Sequence, residues 1–345
     1  MGDNERMRLV IQIPCLNEED SLPVTLAALP RQVAGFDDVL WLVIDDGSVD
    51  ETARVAKECG VDHVVQFTQN KGLAVGFQAG LDAALKLGAD VIVNTDADNQ
   101  YQAGDIVKLT APIVAGEADF VVGCRDISNH QEFSATKKRL QRLGSWVVRQ
   151  ASGTEIPDAT SGFRAYSREA ALQVNVVSSF TYTLETVIQA GKGRIGVSHV
   201  GIGTNPTMRD SRLFTSKRQY IRRSAATITR VYAMYEPMRV FSMLALISAV
   251  ISAVLFGRFG YFVLTDDGGG HVQSLIVGAV AAIFALQLFM MGLLADLLKV
   301  NRVIGERVLR RVRGLELAVG VEPTRPVGSR TRADDADRED AAAAV

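Results

Sequence analysis

The sequence is short of cysteine, lacks an excess of positive charge and contains no phosphate-binding glycine loop, and each shortage removes a class of function. Its three cysteines, Cys15, Cys59 and Cys124, are widely separated, with no CxxC or histidine pairing. Neither a disulfide framework nor a zinc site is legible, and a reducing compartment fits. The formal net charge of −2 argues against a general nucleic-acid binder, which needs a basic face to neutralise phosphates. Neither GxxxxGK[ST] nor GxGxxG occurs, which disfavours ATP hydrolases and dinucleotide dehydrogenases. The opening residues, MGDNERMRLV, carry charges where a secretory leader has an apolar core, so export of the first domain is not expected.

What the chain does have is length and apolar residues: 345 residues, 48% hydrophobic, enough for one large domain and a second element. The second element is conspicuous. Residues 240–257 (VFSMLALISAVISAVLFG) and 275–295 (LIVGAVAAIFALQLFMMGLLA) are charge-free, and each matches the roughly 20 residues a helix needs to cross a hydrocarbon core. Their connection, TDDGGGHVQS, has no Lys or Arg, whereas Arg222, Arg223, Arg230 and Arg239 precede the hairpin and Lys299, Arg302, Arg307, Arg310 and Arg311 follow it. That bias places both ends in the cytoplasm. Arg258 then has to sit at the outer interface beside Phe259, Tyr261 and Phe262 and snorkel. Residues 208–238 interleave Arg and Lys with Tyr, Ile, Val and Met, as expected of a segment lying along a membrane surface. The expected division is therefore 1–207 cytoplasmic domain, 208–238 juxtamembrane segment, 239–299 two-helix hairpin, and 300–345 charged tail, without structure at its end.

In the first 200 residues short β-rich runs recur at 9–14, 39–44, 63–67, 90–95 and 119–123, separated by helix-length segments, notably 17–32, 50–60 and 72–88. This alternation predicts an α/β fold with a mostly parallel, doubly wound sheet and helices on both faces. Ligands in such sheets bind off the carboxyl ends of the strands. Three polar clusters fall there: Pro14-Cys15-Leu16-Asn17-Glu18-Glu19, Asp45-Asp46-Gly47-Ser48 and Asp96-Ala97-Asp98-Asn99-Gln100. The carboxylates of Asp96 and Asp98 are hard oxygen ligands suited to Mg2+ or Mn2+. A cation there would stabilise a departing nucleoside diphosphate as its charge develops. Asn70-Lys71-Gly72 is followed by Gly76 and Gly80, a spacing that serves either helix-to-sheet packing or ligand approach.

These motifs, with Gly123-Cys124-Arg125 and Asp158-Ala159-Thr160-Ser161-Gly162-Phe163-Arg164, resemble glycosyltransferase family 2, and within it the polyprenyl-phosphate glycosyltransferases. The resemblance covers about residues 8–220. It implies a GT-A type fold, inversion at the anomeric carbon, a UDP- or GDP-hexose donor and a polyprenyl phosphate acceptor. It also implies that Pro14, Glu18 and Asp46 hold base and ribose, with Asn17, Asp45, Lys71, Gly72 and Ala97 in the same donor site. Asp96, Asp98 and Gln100 would serve metal and diphosphate. Arg125, Arg142, Arg209 and Lys217 look like phosphate-gripping cations, with Ser161 and Arg164 beside the acceptor, and Asp158 or Glu185 would orient the acceptor or a sugar hydroxyl. The family's Gly-Ser-Lys appears here as Phe214-Thr215-Ser216-Lys217, a departure on the acceptor side. No QxxRW occurs, so single transfer is expected. A family member with a different acceptor, a nucleotidyltransferase, a nucleotide-sugar-binding membrane subunit and a homo-oligomer stay open.

Overall fold

The computed structural model describes residues 6–125, 145, 146, 148–176, 182–206, 222, 225, 226, 229, 230, 232, 233, 235–265 and 272–320. Arg142, Arg209 and Lys217, and most of segment 208–238, lie outside the described residues. The chain divides into two units, Met1–Ile228 with Arg310–Val345, and Thr229–Leu309.

The first unit is built on a seven-stranded sheet. In chain order its elements are β1 (Arg8–Cys15), α1 (Leu22–Ala28), β2 (Asp38–Asp45), α2 (Thr52–Glu58), β3 (His63–Gln66), α3 (Leu73–Lys86), β4 (Val91–Asn94), α4 (Ile106–Val114), β5 (Phe120–Arg125), β6 (Arg164–Ser167), α5 (Arg168–Gln173), α6 (Thr183–Gly193) and β7 (Val197–Ile202). The spatial order is β3-β2-β1-β4-β6-β5-β7. Only β6 runs against its neighbours, β4 and β5; the remaining pairs are parallel. All five β-rich runs of the sequence form strands. β6 and β7, four and six residues long, lack the apolar runs that marked the others.

The central strands explain why the sequence reads as it does. Leu9, Ile11 and Ile13 of β1 pack into a core with Leu22 and Leu26 of α1, Ala56 of α2, and Ile106 and Leu109 of α4. The alternate β1 residues, Val10 and Gln12, are equally buried, because α3 covers the opposite face. A strand covered on both sides is near-continuously apolar. Gln12 is the exception: its Nε2 donates to Asn94 Oδ1 of β4 at 2.8 Å.

The topology gathers the polar clusters. The carboxyl ends of β1, β2, β4 and β5 share one edge of the sheet, and the reversed β6 begins there. Strand order switches between β1 and β4, where their ladder ends at Gln12↔Asn94, two residues short of Pro14. Beyond that pairing the strands part, as at the ligand-binding crevice of doubly wound sheets.

In the second unit, α7 (Pro237–Leu264) and α8 (Val272–Val319) contain the two charge-free runs. Both are long and apolar enough to cross a membrane, with mean hydropathy 2.4 and 2.3 in their most apolar windows, of which only 11% is buried. Small residues mediate the contact between them: Ser248 Oγ donates to Ala281 O at 2.9 Å and Ser252 Oγ to Gly278 O at 2.7 Å. The Arg258 guanidinium lies 5.8 Å from the centre of the Phe262 ring. The last turns of α8 belong to the first unit. There Arg313 Nη1 donates to the carbonyls of Leu172 (3.4 Å) and Val174 (3.1 Å) at the end of α5, and Arg310 pairs with Glu169.

Gly76 and Gly80 serve packing. A Cβ on Gly76 would lie 3.7 Å from Ile44 Cγ2, while one on Gly80 would collide with Gln12 Oε1 and come within 2.9 Å of Ile44 Cδ1. Helix propensity favours Ala over Gly by about 1 kcal/mol, but overpacking a core costs about 1–3 kcal/mol. Gly80→Ala should therefore lower the melting temperature; a rise would show that α3 does not press on β1 and β2 in this way.

Candidate active site

The loops after β1 and β2 are stitched together by side chains. Asn17, at φ 55°, donates its main-chain N–H to Ser48 Oγ at 2.9 Å and accepts from the Val49 N–H at 2.9 Å. The Glu18 N–H donates to Thr52 Oγ1 at 2.8 Å, and the Glu18 carboxylate accepts from Ser21. Asp45 is fully buried, taking the Ser48 N–H and the Gln66 amide at 2.9 Å each. Its side chain therefore shapes the loop. Asp46 accepts the main-chain N–H groups of Lys71 (2.7 Å) and Gly72 (2.9 Å), which brings the loop after β3 onto the same edge. Burial pushes the Asp46 carboxyl upward, and those two N–H groups pull against it. Gly47, at φ +73°, lets the two loops touch: a Cβ there would be 2.6 Å from Asn70 N.

After β4, Ala97 is buried and its carbonyl accepts from Thr25 Oγ1 at 2.8 Å, while Asp98 Oδ1 caps the Gln100 N–H at 3.1 Å. Asn99 sits in the left-handed region at φ 54°. Asn205, beyond β7, fixes this turn by donating to Asn99 O at 2.9 Å and, through its own N–H, to Gln100 O at 2.9 Å. Burial, then the neighbouring Asp98, push the Asp96 carboxyl up to about 7, opposed by Arg125, a hydrogen bond from Tyr101, and Arg164. Asp96, its proton affinity raised by burial and by a neighbouring carboxylate, and Asp98 together offer hard oxygen donors. Among the described residues no group of three or more His, Cys, Asp or Glu gathers as a metal site.

Arg125, at the end of β5, is aimed by Asp158. Nε donates to Oδ2 at 2.7 Å and Nη2 to Oδ1 at 3.2 Å, with a third bond to Thr160 Oγ1 at 3.2 Å. Asp158 is fully buried and the Arg125 side chain 12% exposed, so of this pair it is the guanidinium that lies nearer the surface.

Two residues expected at the acceptor phosphate are fully buried. Arg164 is fully buried; its guanidinium donates to Ser161 O (2.7 Å), Ala159 O (2.8 Å) and Thr186 Oγ1. Ser161 is fully buried too, its hydroxyl accepting from the Phe163 N–H at 3.3 Å. Arg164 thus spends its donors holding the loop that carries Asp158. Glu185 is likewise buried, accepting from Gln189 at 3.0 Å. Burial keeps the thiols of Cys15 and Cys124 protonated, Cys124 pushed up to about 12, so neither offers a thiolate nucleophile.

The proton affinity of Asp96 gives a direct test. Its folded-state value, about 7, lies above the ordinary carboxyl value near 4, so ionising it opposes folding increasingly as pH rises between those limits. In EDTA, Asp96→Asn should melt at a higher temperature than wild type at about pH 8, and the gap should close by about pH 4. Equal melting temperatures at both pH values would show that Asp96 is not desolvated.

The comparisons with known proteins agree with this geometry. Residues 10–174 match the family model "Glycosyl transferase family 2". The chain is 30% identical over 217 residues to a UDP-N-acetylglucosamine–dolichyl-phosphate N-acetylglucosaminyltransferase of Methanococcus voltae, covering 56% of this chain and 83% of that protein. It is 32% identical over 199 residues to an undecaprenyl-phosphate mannosyltransferase of Micrococcus luteus, covering 55% and 79%. Among solved structures, glucosyl-3-phosphoglycerate synthase from Mycobacterium tuberculosis, in complex with Mn2+, UDP-glucose and phosphoglyceric acid, superposes with TM-score 0.53 at 21% identity, covering 66% of this chain and 80% of that one; this likeness concerns the fold. By sequence, fold and the layout of its strand-end loops, the chain belongs to glycosyltransferase family 2.

Proposed function

We propose that the chain transfers a hexose from a UDP- or GDP-sugar to the phosphate of a polyprenyl lipid, with inversion, at the cytoplasmic face of a membrane that α7 and α8 span. The supporting observation is one chain that joins acidic strand-end loops at a β1/β4 crevice to two apolar helices with only 11% of their most apolar windows buried. The names of relatives that act on dolichyl and undecaprenyl phosphates support the same acceptor. In this reading residues 1–207 form the cytoplasmic domain, 239–299 the hairpin, and both termini face the cytoplasm.

The residues divide the work by position. Pro14, Asn17, Glu18 and Asp46, with the Lys71-Gly72 main chain, line the donor's base and ribose. Asp96, Asp98 and Gln100 would hold Mg2+ or Mn2+. Their carboxylates fit a cation that takes its other ligands from diphosphate oxygens and water, as Mg2+ does. When bound, the cation neutralises charge that builds on the diphosphate as the glycosidic bond breaks. A lipid phosphate has a second pKa near 6, so it is already a nucleophile at neutral pH. The chain's own task is to place it and to offset two anions. Arg125, fixed by Asp158, is the described cation suited to that role, and a guanidinium suits phosphate geometry.

The test uses the full-length protein in membranes, with a panel of radiolabelled UDP- and GDP-sugars and a polyprenyl phosphate. Label should enter the organic extract with one donor, excess EDTA should stop it, and Asp98→Ala should remove it while leaving the circular dichroism spectrum unchanged. Label that stays in water with every donor would refute the lipid acceptor, and undiminished turnover in EDTA would refute the metal. Release of the protein from membranes by alkaline carbonate would refute the spanning hairpin.

A further inference from the structure

The polar side chains in the middle of the helical hairpin fall into two kinds. Ser248 and Ser252 of α7 turn inward and donate to main-chain carbonyls of α8. Gln287 of α8 turns outward. It is the one polar side chain in the charge-free run 275–295, it is exposed, and among the described residues it forms no hydrogen bond. The geometry of α8 explains why α7 cannot serve it. Gly278, Ala285 and Gly292 are the buried positions of this helix, and they mark the side that faces α7: a Cβ on Gly278 would lie 3.1 Å from the Phe256 ring, and one on Gly292 3.0 Å from Phe241 Cβ. Gln287 follows Ala285 by two residues, which at about 100° per residue turns it about 200° away from that seam.

We propose that Gln287 is the polar contact of a parallel, two-fold interface between α8 and the α8 helix of a second copy of this chain. The inference rests on the membrane-spanning reading given above. In hydrocarbon an amide without a partner is costly, because nothing there can replace its hydrogen bonds to water. Gln287 cannot escape to the interface: it lies eight residues from Ala295 and twelve from Leu275, about 12 Å and 18 Å along the helix axis, farther than its side chain reaches. A primary amide carries both donors and an acceptor, so two such groups at one depth satisfy each other, N–H to C=O in both directions. A two-fold axis along the membrane normal gives this pairing. Both copies enter the bilayer in the same orientation, and an isologous interface sets a residue at the axis against itself. A lipid chain offers no matching group, and a foreign helix would need one at the same depth.

The surroundings of Gln287 suit a helix–helix contact. Three, four and seven residues away along the same face stand Val280, Ile283, Phe284, Met290, Met291 and Leu294, each 51% to 60% exposed. These side chains can pack against another helix, but lipid tails are as apolar as they are, so by themselves they give little preference for protein over lipid. The amide supplies that preference and fixes the register, because the two copies satisfy it only when their α8 helices meet at residue 287.

The experiment measures self-association of the full-length protein in phosphatidylcholine vesicles, by energy transfer between donor- and acceptor-labelled copies as the protein is diluted with lipid. Wild type, Gln287→Leu and Gln287→Asn are compared. Leu keeps an apolar side chain of similar bulk and removes the amide, whereas Asn keeps the amide. Wild type should form a dissociable dimer, and its dissociation constant should rise about 3- to 30-fold in Gln287→Leu, the range for one interhelical polar contact. Gln287→Asn should fall between the two. All three proteins should resist extraction by alkaline carbonate. A wild type that stays monomeric at every density, or a Gln287→Leu dimer whose constant is within about twofold of wild type, would overturn this inference and leave the spanning hairpin standing. Release by carbonate would overturn both.

Discussion

Keeping a carboxylate charged where water is scarce is the constraint around which the catalytic unit is arranged. Desolvation and Asp98 both favour a proton on Asp96, and Arg125, Tyr101 and Arg164 oppose them. Those three come from different parts of the chain: the end of β5, the turn after β4 and the start of β6. Each is held by further bonds, so the balance at one carboxylate depends on the packing of half the sheet. Such a site costs stability and is useful in chemistry, since a carboxyl poised near neutrality exchanges its proton with solvent readily.

Hydrogen bonds between loops do the corresponding work at the carboxyl ends of β1, β2 and β3. Asn17, Ser48, Thr52 and Asp46 link three consecutive strand ends through main-chain N–H groups. These loops have little apolar area to bury, so satisfied polar groups are what hold them in one conformation. The buried Arg125–Asp158 pair follows the same logic. Burying an ion pair adds little stability against an apolar replacement, but its two parallel bonds fix the direction of a guanidinium.

Much of this was legible in the residues. The five β-rich runs became β1 to β5; β1, β2, β4 and β5 are largely buried on both faces, and β3, at the sheet edge, is only partly buried. The two charge-free runs lie within α7 and α8, long and apolar all round although little of that surface is buried. β6 and β7 were not legible: RAYS and VSHVGI carry arginine, serine and histidine, and their pairing is imposed by the sheet. The acidic clusters lie, as their positions after apolar runs implied, at the carboxyl ends of β1, β2 and β4. What the residue types could not separate was a guanidinium that stays partly exposed from one buried within a loop, as with Arg125 and Arg164, both in a conspicuous motif. That distinction depends on neighbours distant in sequence, such as Thr186. Tyr101 and Asn94 left no signal of their own, since a tyrosine beside an acidic motif and an asparagine in a strand carry no spacing pattern.

The Arg313 contact has a consequence for the order in which the protein is made. The unit that carries the acidic loops is assembled from both sides of the apolar hairpin, and the carbonyls of Leu172 and Val174 receive their guanidinium only from residue 313. Domains fold from the amino terminus as the chain emerges from the ribosome. The sheet can therefore form early, but the end of α5 waits for both hydrophobic helices to be synthesised before its last hydrogen-bond donor arrives.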